Sequence, residues 1–215
     1  MSITPTQASA EAARICEAAP IVPVLVVEDA SRAAGLAGAL IRGGLPALEV
    51  TLRTPAALDA IRAMAEVPGG IAGAGTLLTP EDVIAAKQAG AKFGVSPGAT
   101  DKLLDAANEV GLPMLPGAST ASEAMALLER GYHVQKFFPA EAAGGAPFLK
   151  SLASPLPQIR FCPTGGVSPE NAQSYLSLPN VICAGGSWVA PKDAVAQGDW
   201  DQIETLARAA AALPR

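Results

Sequence analysis

Of the six lysines in the chain, only Lys136 falls inside a strand-like apolar run, HVQKFF (133–138), flanked by Val134, Phe137 and Phe138. Burial penalises the charged form of an amine, and the neutral form is the nucleophile that condenses with a carbonyl carbon. Lys136 is therefore the candidate for imine chemistry. A structural lysine paired with a carboxylate would satisfy the same pattern. Lys87, Lys102 and Lys150 fall on helix-patterned segments, Lys92 precedes another strand-like run, and Lys192 stands in a loop beyond Trp188. These read as solvated cations.

A second run, LEVTLR (48–53), alternates with period two. Glu49, Thr51 and Arg53 share one side of such a strand, and Leu48, Val50 and Leu52 share the other. A partly buried Glu49 could relay protons, and Arg53 could clamp a carboxylate through its fork of donors. An ion pair between Glu49 and Arg53 fits the same spacing. Two glycine pairs, PTGGVS (163–168) and CAGGSW (183–188), follow strand-like runs at corresponding places. Glycine lets backbone N–H groups approach an anion, so the pairs read as a phosphate cradle or as tight turns. GAGT (73–76) offers small residues and one hydroxyl, whereas SPG (96–98) and LPG (115–117) supply rigid walls without an ionisable group. The single histidine, His133, opens its run at the end away from this chemistry. One imidazole excludes multi-histidine metal sites and most histidine triads.

Eight short apolar runs, centred near Val24, Leu48, Ala72, Phe93, Met114, Gln135, Phe161 and Ile182, recur every 21 to 26 residues. Helix-patterned segments at 31–42, 54–66, 79–89, 100–110, 120–129 and 168–176 lie between them. Thr79 and Ser168, each before a Pro, read as N-caps, and Thr120 with Glu123 reads as a capping box. Gly43, Gly90, Gly111 and Gly131 mark helix ends. Repeated strand–helix alternation predicts parallel strands with crossover helices, and eight units close into a compact (β/α)8 TIM barrel over a single domain, 1–215. Flanking helices are expected near 5–18 and 199–212. The open doubly wound sheet is disfavoured because no Gly-rich dinucleotide fingerprint follows the first run. In a barrel, chemistry gathers at the C-terminal strand ends, where Lys136, Glu49 and the glycine loops would meet.

Composition limits the partners. Half the residues are hydrophobic, 4% are aromatic, and the formal net charge is −5. That excludes a disordered chain and a surface for nucleic acid. No leader pattern and no membrane span are expected. Cys16, Cys162 and Cys183 lie without CxxC spacing and read as buried hydrophobes in a reduced cytoplasm. Met64, Met114 and Met125 read as core fillers.

The motifs LEVTLRT (48–54), GAGT (73–76), SPG (96–98), LPG (115–117), VQKFFPAE (134–141), PTGG (163–166) and GGSW (185–188) resemble the 2-keto-3-deoxy-6-phosphogluconate aldolase family. That family includes 4-hydroxy-2-oxoglutarate aldolases. The resemblance implies a metal-independent, cofactor-free class I aldolase that forms a Schiff base. It makes Lys136 the imine-forming residue and Glu49 the general acid and base. It places Arg53 and Thr76 at the pyruvate carboxylate, Phe138 beside the imine and Thr164 at the aldehyde-derived half. Gly165, Gly166, Gly185, Gly186 and Ser187 then hold the phosphate. A cytoplasmic homotrimer is also implied, cleaving a phosphorylated keto acid to pyruvate and glyceraldehyde 3-phosphate. A phosphosugar isomerase and a non-catalytic sugar-phosphate binder on the same fold are the readings from other classes.

Overall fold

The computed structural model describes residues 2–215. The apolar runs form parallel strand segments β1 (Ile21–Leu25), β2 (Ala47–Thr51), β3 (Ile71–Gly75), β4 (Phe93–Val95), β5 (Met114–Leu115), β6 (Gly117–Ala118), β7 (Val134–Phe137), β8 (Arg160–Pro163) and β9 (Ala184–Gly186). Six pair in the order β5-β4-β3-β2-β1-β9, and three in the order β6-β7-β8. The fifth predicted strand ends at Pro116, which has no N–H to give to a ladder, and a short β6 follows it. Single parallel bridges join Phe161 to Val181 and Thr164 to Gly185. The architecture is α/β, with parallel strands curled around a shared interior.

The helices are α1 (Pro5–Glu17), α2 (Ala33–Arg42), α3 (Ala57–Ala65), α4 (Pro80–Gln88), α5 (Asp101–Val110), α6 (Ala121–Glu129), α7 (Gly145–Leu152), α8 (Ala172–Leu176), α9 (Lys192–Gln197) and α10 (Trp200–Ala211). Capping boxes form at Thr79 with Asp82 and at Thr120 with Glu123. Gly43 ends α2 as expected, right-handed and packed on α10, and Gly44 turns at φ +92°. Two expectations change. Ser168 does not cap a helix: its hydroxyl donates to Glu170 at 2.6 Å, and α8 starts only at Ala172. Met125 stands exposed on α6, whereas Met64 and Met114 are buried.

The strand alternation splits the apolar residues into two zones. Leu48 and Val50 of β2 join the larger cluster with the helices. Ala47, Val22, Phe93, Val95, Leu115, Val134 and Cys162 form the inner cluster, closed at one end by Ile15 and Cys16 of α1. Gly73 makes room for the Phe93 ring, since a Cβ there would lie 2.3 Å from it. Further along the strands the inner face changes from apolar to polar: Glu49 follows Ala47 on β2, and Lys136 follows Val134 on β7. The inner cluster therefore forms an apolar floor beneath charged groups.

Candidate active site

Lys136 and Glu49 meet on that inner face although 87 residues separate them, and Lys136 Nζ donates to Glu49 Oε1 at 3.2 Å. Both are nearly inaccessible, at 4% and 2% exposure. Removing two charges from water is costly, and removing either partner from a buried pair leaves an uncompensated charge worth about 3–5 kcal/mol. Gly75, beside Thr51 in the ladder, admits the carboxylate. A Cβ at that position would stand 2.4 Å from Glu49 Oε1. The Phe138 ring lies 5.2 Å from Lys136 Nζ, within reach of a cation–π contact, and the Phe138–Pro139 bond is cis.

Glu49 and Arg53 do not pair with each other. β2 ends at Thr51, and the exposed Arg53 lies beyond it, donating from Nε to Thr76 Oγ1 at 3.1 Å. Thr76 has φ +61°, a left-handed conformation that a β-branched residue rarely takes and that costs about 1–3 kcal/mol. The strained backbone holds the Thr76 hydroxyl beside the guanidinium. Thr51 is fully buried and donates to the Leu25 carbonyl at 2.9 Å, fixing the end of β2 to β1.

Arg53, Phe138 and Thr164 line a cavity of about 400 Å³, together with Gly165 and Gly166 after β8 and Gly185, Gly186 and Ser187 at the end of β9. Thr164 and Gly185 face each other so closely that a Cβ on Gly185 would stand 2.3 Å from Thr164 Oγ1. Gly165 and Gly166 take φ +99° and +79°, which side-chain-bearing residues avoid. Among the described residues, the N–H groups of Gly166 and Ser187 donate to no protein acceptor. Each can serve an anion in the cavity. Beside this loop, buried Tyr175 of α8 donates to Glu141. Burial, reinforced by that carboxylate, pushes the phenol upward.

The three cysteines, scattered in the sequence, converge below Lys136. Cys162 is its register partner on β8, and Cys16 and Cys183 are buried in the same inner cluster. The neighbouring Cys16 and Cys183 thiols hold Cys162 well below the ordinary thiol range, with help from the Lys136 ammonium. Cys162 in turn pushes Cys16 upward, and Cys16 and Cys162 together push Cys183 upward.

Of the residues singled out in the sequence, Lys136 and Glu49 form one pair, Arg53 and Thr76 a second, and the others surround the cavity. His133 is exposed at the opposite strand end. Lys192, set aside as a loop cation, also lines the cavity, and its position shortly after GGSW was the available signal.

The family model described as KDPG and KHG aldolase matches residues 12–206. The chain is 56% identical to a 2-dehydro-3-deoxy-phosphogluconate aldolase of Pseudoalteromonas atlantica over 90% of each chain. It superposes with a TM-score of 0.90 on the 2-keto-3-deoxy-6-phosphogluconate aldolase of Zymomonas mobilis with 3-phosphoglycerate, at 48% identity over 94% of this chain and 95% of that one. It superposes equally, at 0.90 and 43% identity, on the KDPG aldolase of Legionella pneumophila with pyruvate captured as a covalent carbinolamine intermediate, covering 93% of this chain and 98% of that one. The chain belongs to the KDPG and KHG aldolase family.

Proposed function

We propose that the chain is a class I aldolase that cleaves 2-keto-3-deoxy-6-phosphogluconate to pyruvate and glyceraldehyde 3-phosphate, with Lys136 as the nucleophile. The observation that carries this reading is the buried Lys136–Glu49 pair, joined through the Phe138 ring beside Lys136 Nζ to a cavity that Phe138 lines and whose loops present free N–H groups. The Lys136 amine adds to the C2 carbonyl to give a carbinolamine. Glu49, in contact with Nζ, shuttles the proton that lets water leave, and a protonated imine remains. Glu49 then accepts the C4 hydroxyl proton through a water molecule. The C3–C4 bond breaks, its electron pair moves toward the imine nitrogen, and C4 becomes the aldehyde carbon. The enamine is protonated at C3, and hydrolysis of the imine releases pyruvate and the free amine. No step uses a metal or cofactor.

Arg53 and Thr76 would hold the substrate carboxylate, Phe138 would pack beside the imine, and Thr164 would contact the aldehyde-derived half. Gly165, Gly166, Gly185, Gly186 and Ser187 would receive the phosphate. A second substrate, 4-hydroxy-2-oxoglutarate, is favoured by the family model, which covers both activities. The test is pyruvate release from each substrate by the purified protein. Efficient turnover of the phosphorylated substrate is expected. Folded protein that releases no pyruvate from it contradicts the proposal.

The same reading takes the two sheets as one closed (β/α)8 barrel and residues 1–215 as one domain. It is supported by the gap of Pro116 alone between β5 and β6 and by the bridge from Thr164 to Gly185. A homotrimer in the cytoplasm accords with the family resemblance. Leu78, Ile84 and Met125 are large apolar side chains left exposed in one chain, and among the described residues no helix is long and apolar enough to cross a membrane.

A further inference from the structure

We infer that Lys192 determines the preference of this site for a phosphorylated substrate over its unphosphorylated counterpart. The inference rests on the aldolase reading above. The charged residues lining the cavity are Arg53 and Lys192, and no carboxylate lines it. Arg53 is engaged at one point by Thr76, where the substrate carboxylate is assigned. Lys192 lines the cavity with the second glycine loop, which leads through Ala190 and Pro191 to it. Among the described residues Lys192 makes no ion pair, so its charge is not already neutralised by a protein carboxylate.

A neighbouring chamber of about 300 Å³ explains why the lysine can discriminate. It shares Val26 and Lys192 with the first cavity but is also lined by Glu28, Asp29 and Asp193, with Arg32 as its other cation. Three carboxylates make that chamber unfavourable for a phosphate. Lys192 stands at the boundary between the acidic chamber and the acid-free cavity. A dianionic group is retained on the cavity side, where the free N–H groups of Gly166 and Ser187 lie. The loop N–H groups give geometry to any anion, whereas a mobile ammonium adds charge that grows in value with the charge on the ligand.

The test compares 2-keto-3-deoxy-6-phosphogluconate with the same keto acid lacking phosphate, in wild type, Lys192→Met and Lys192→Arg. Lys150→Met, which removes an exposed charge from α7, controls for net charge. In Lys192→Met the ratio of kcat/KM for the two substrates should fall about tenfold. The fall should come through KM of the phosphorylated substrate, with kcat little changed, as for loss of uniform binding. Lys192→Arg should restore most of the ratio, and Lys150→Met should leave it at the wild-type value. An unchanged ratio in Lys192→Met, or an equal loss on both substrates, overturns the inference while wild-type turnover leaves the aldolase reading intact. Wild-type protein that cleaves neither keto acid overturns both.

Discussion

The inner face of the curled sheets has two regions built on the same strands. Near α1 it is apolar: Val22, Ala47, Phe93 and Val134 pack there with Ile15 and Cys16. Two residues further along, the same strands carry Glu49 and Lys136. The lower region gains from burial and tolerates no void. The upper region buries an ion pair whose desolvation offsets much of its attraction. The difference separates stability from reactivity. Substitutions below should unfold the protein without altering the chemistry of the fraction that folds. Substitutions above should alter the chemistry first.

The sharpest break in that comparison is Lys136→Met. On the proposed mechanism it should lower kcat by on the order of 10⁵, about 7 kcal/mol, in a steady-state pyruvate assay. Glu49→Gln keeps an oxygen near Nζ but removes the proton acceptor. Its kcat should fall by about 10³, and KM should move much less. Phe93→Ala tests the lower region. Emptying the space over Gly73 should cost about 3–5 kcal/mol in denaturant unfolding, with kcat per folded molecule within a few-fold of wild type. Gly185→Ala touches both, because its Cβ must displace Thr164. It should cost about 1–3 kcal/mol and raise KM. The smallest effect belongs to Thr76→Gly. Relief of the left-handed strain should raise stability by about 1 kcal/mol, while KM rises as Arg53 loses its hydroxyl partner.

The two regions also differ in how well the sequence reveals them. Lys136 could be read because a cation inside an apolar run is conspicuous, and the period-two alternation around Glu49 put it on the inner face. Its meeting with Lys136 was legible only through the barrel reading, which gathers the strand ends. Local spacing offered Arg53, four residues away, whereas the actual partner stands 87 residues along the chain and is brought in only by closure of the fold. The strand series was legible from its spacing, but β6 was not, because LPG reads as a turn that ends the fifth run and only Gly117 and Ala118 form the segment beyond Pro116. Helix α7 was legible at Lys150, but its start was not, because Gly145 and Pro147 punctuate its first turn like a loop. The Ser168 signal failed because Asn171 intervenes: its carboxamide oxygen accepts from the Ser168 N–H at 2.8 Å, and α8 starts only at Ala172. The convergence of three cysteines under Lys136 has no local signature, because three distant segments, α1, β8 and the approach to β9, supply them.

On the proposed mechanism the amine of Lys136 becomes covalently bound to the substrate's keto carbon. Incubating the protein with pyruvate and borohydride, followed by peptide mass mapping, tests it most directly. Reduction of the imine should leave a three-carbon adduct on Lys136 and on no other lysine, with activity lost in step. An unmodified Lys136 in folded protein, or an adduct confined to another lysine, would contradict it.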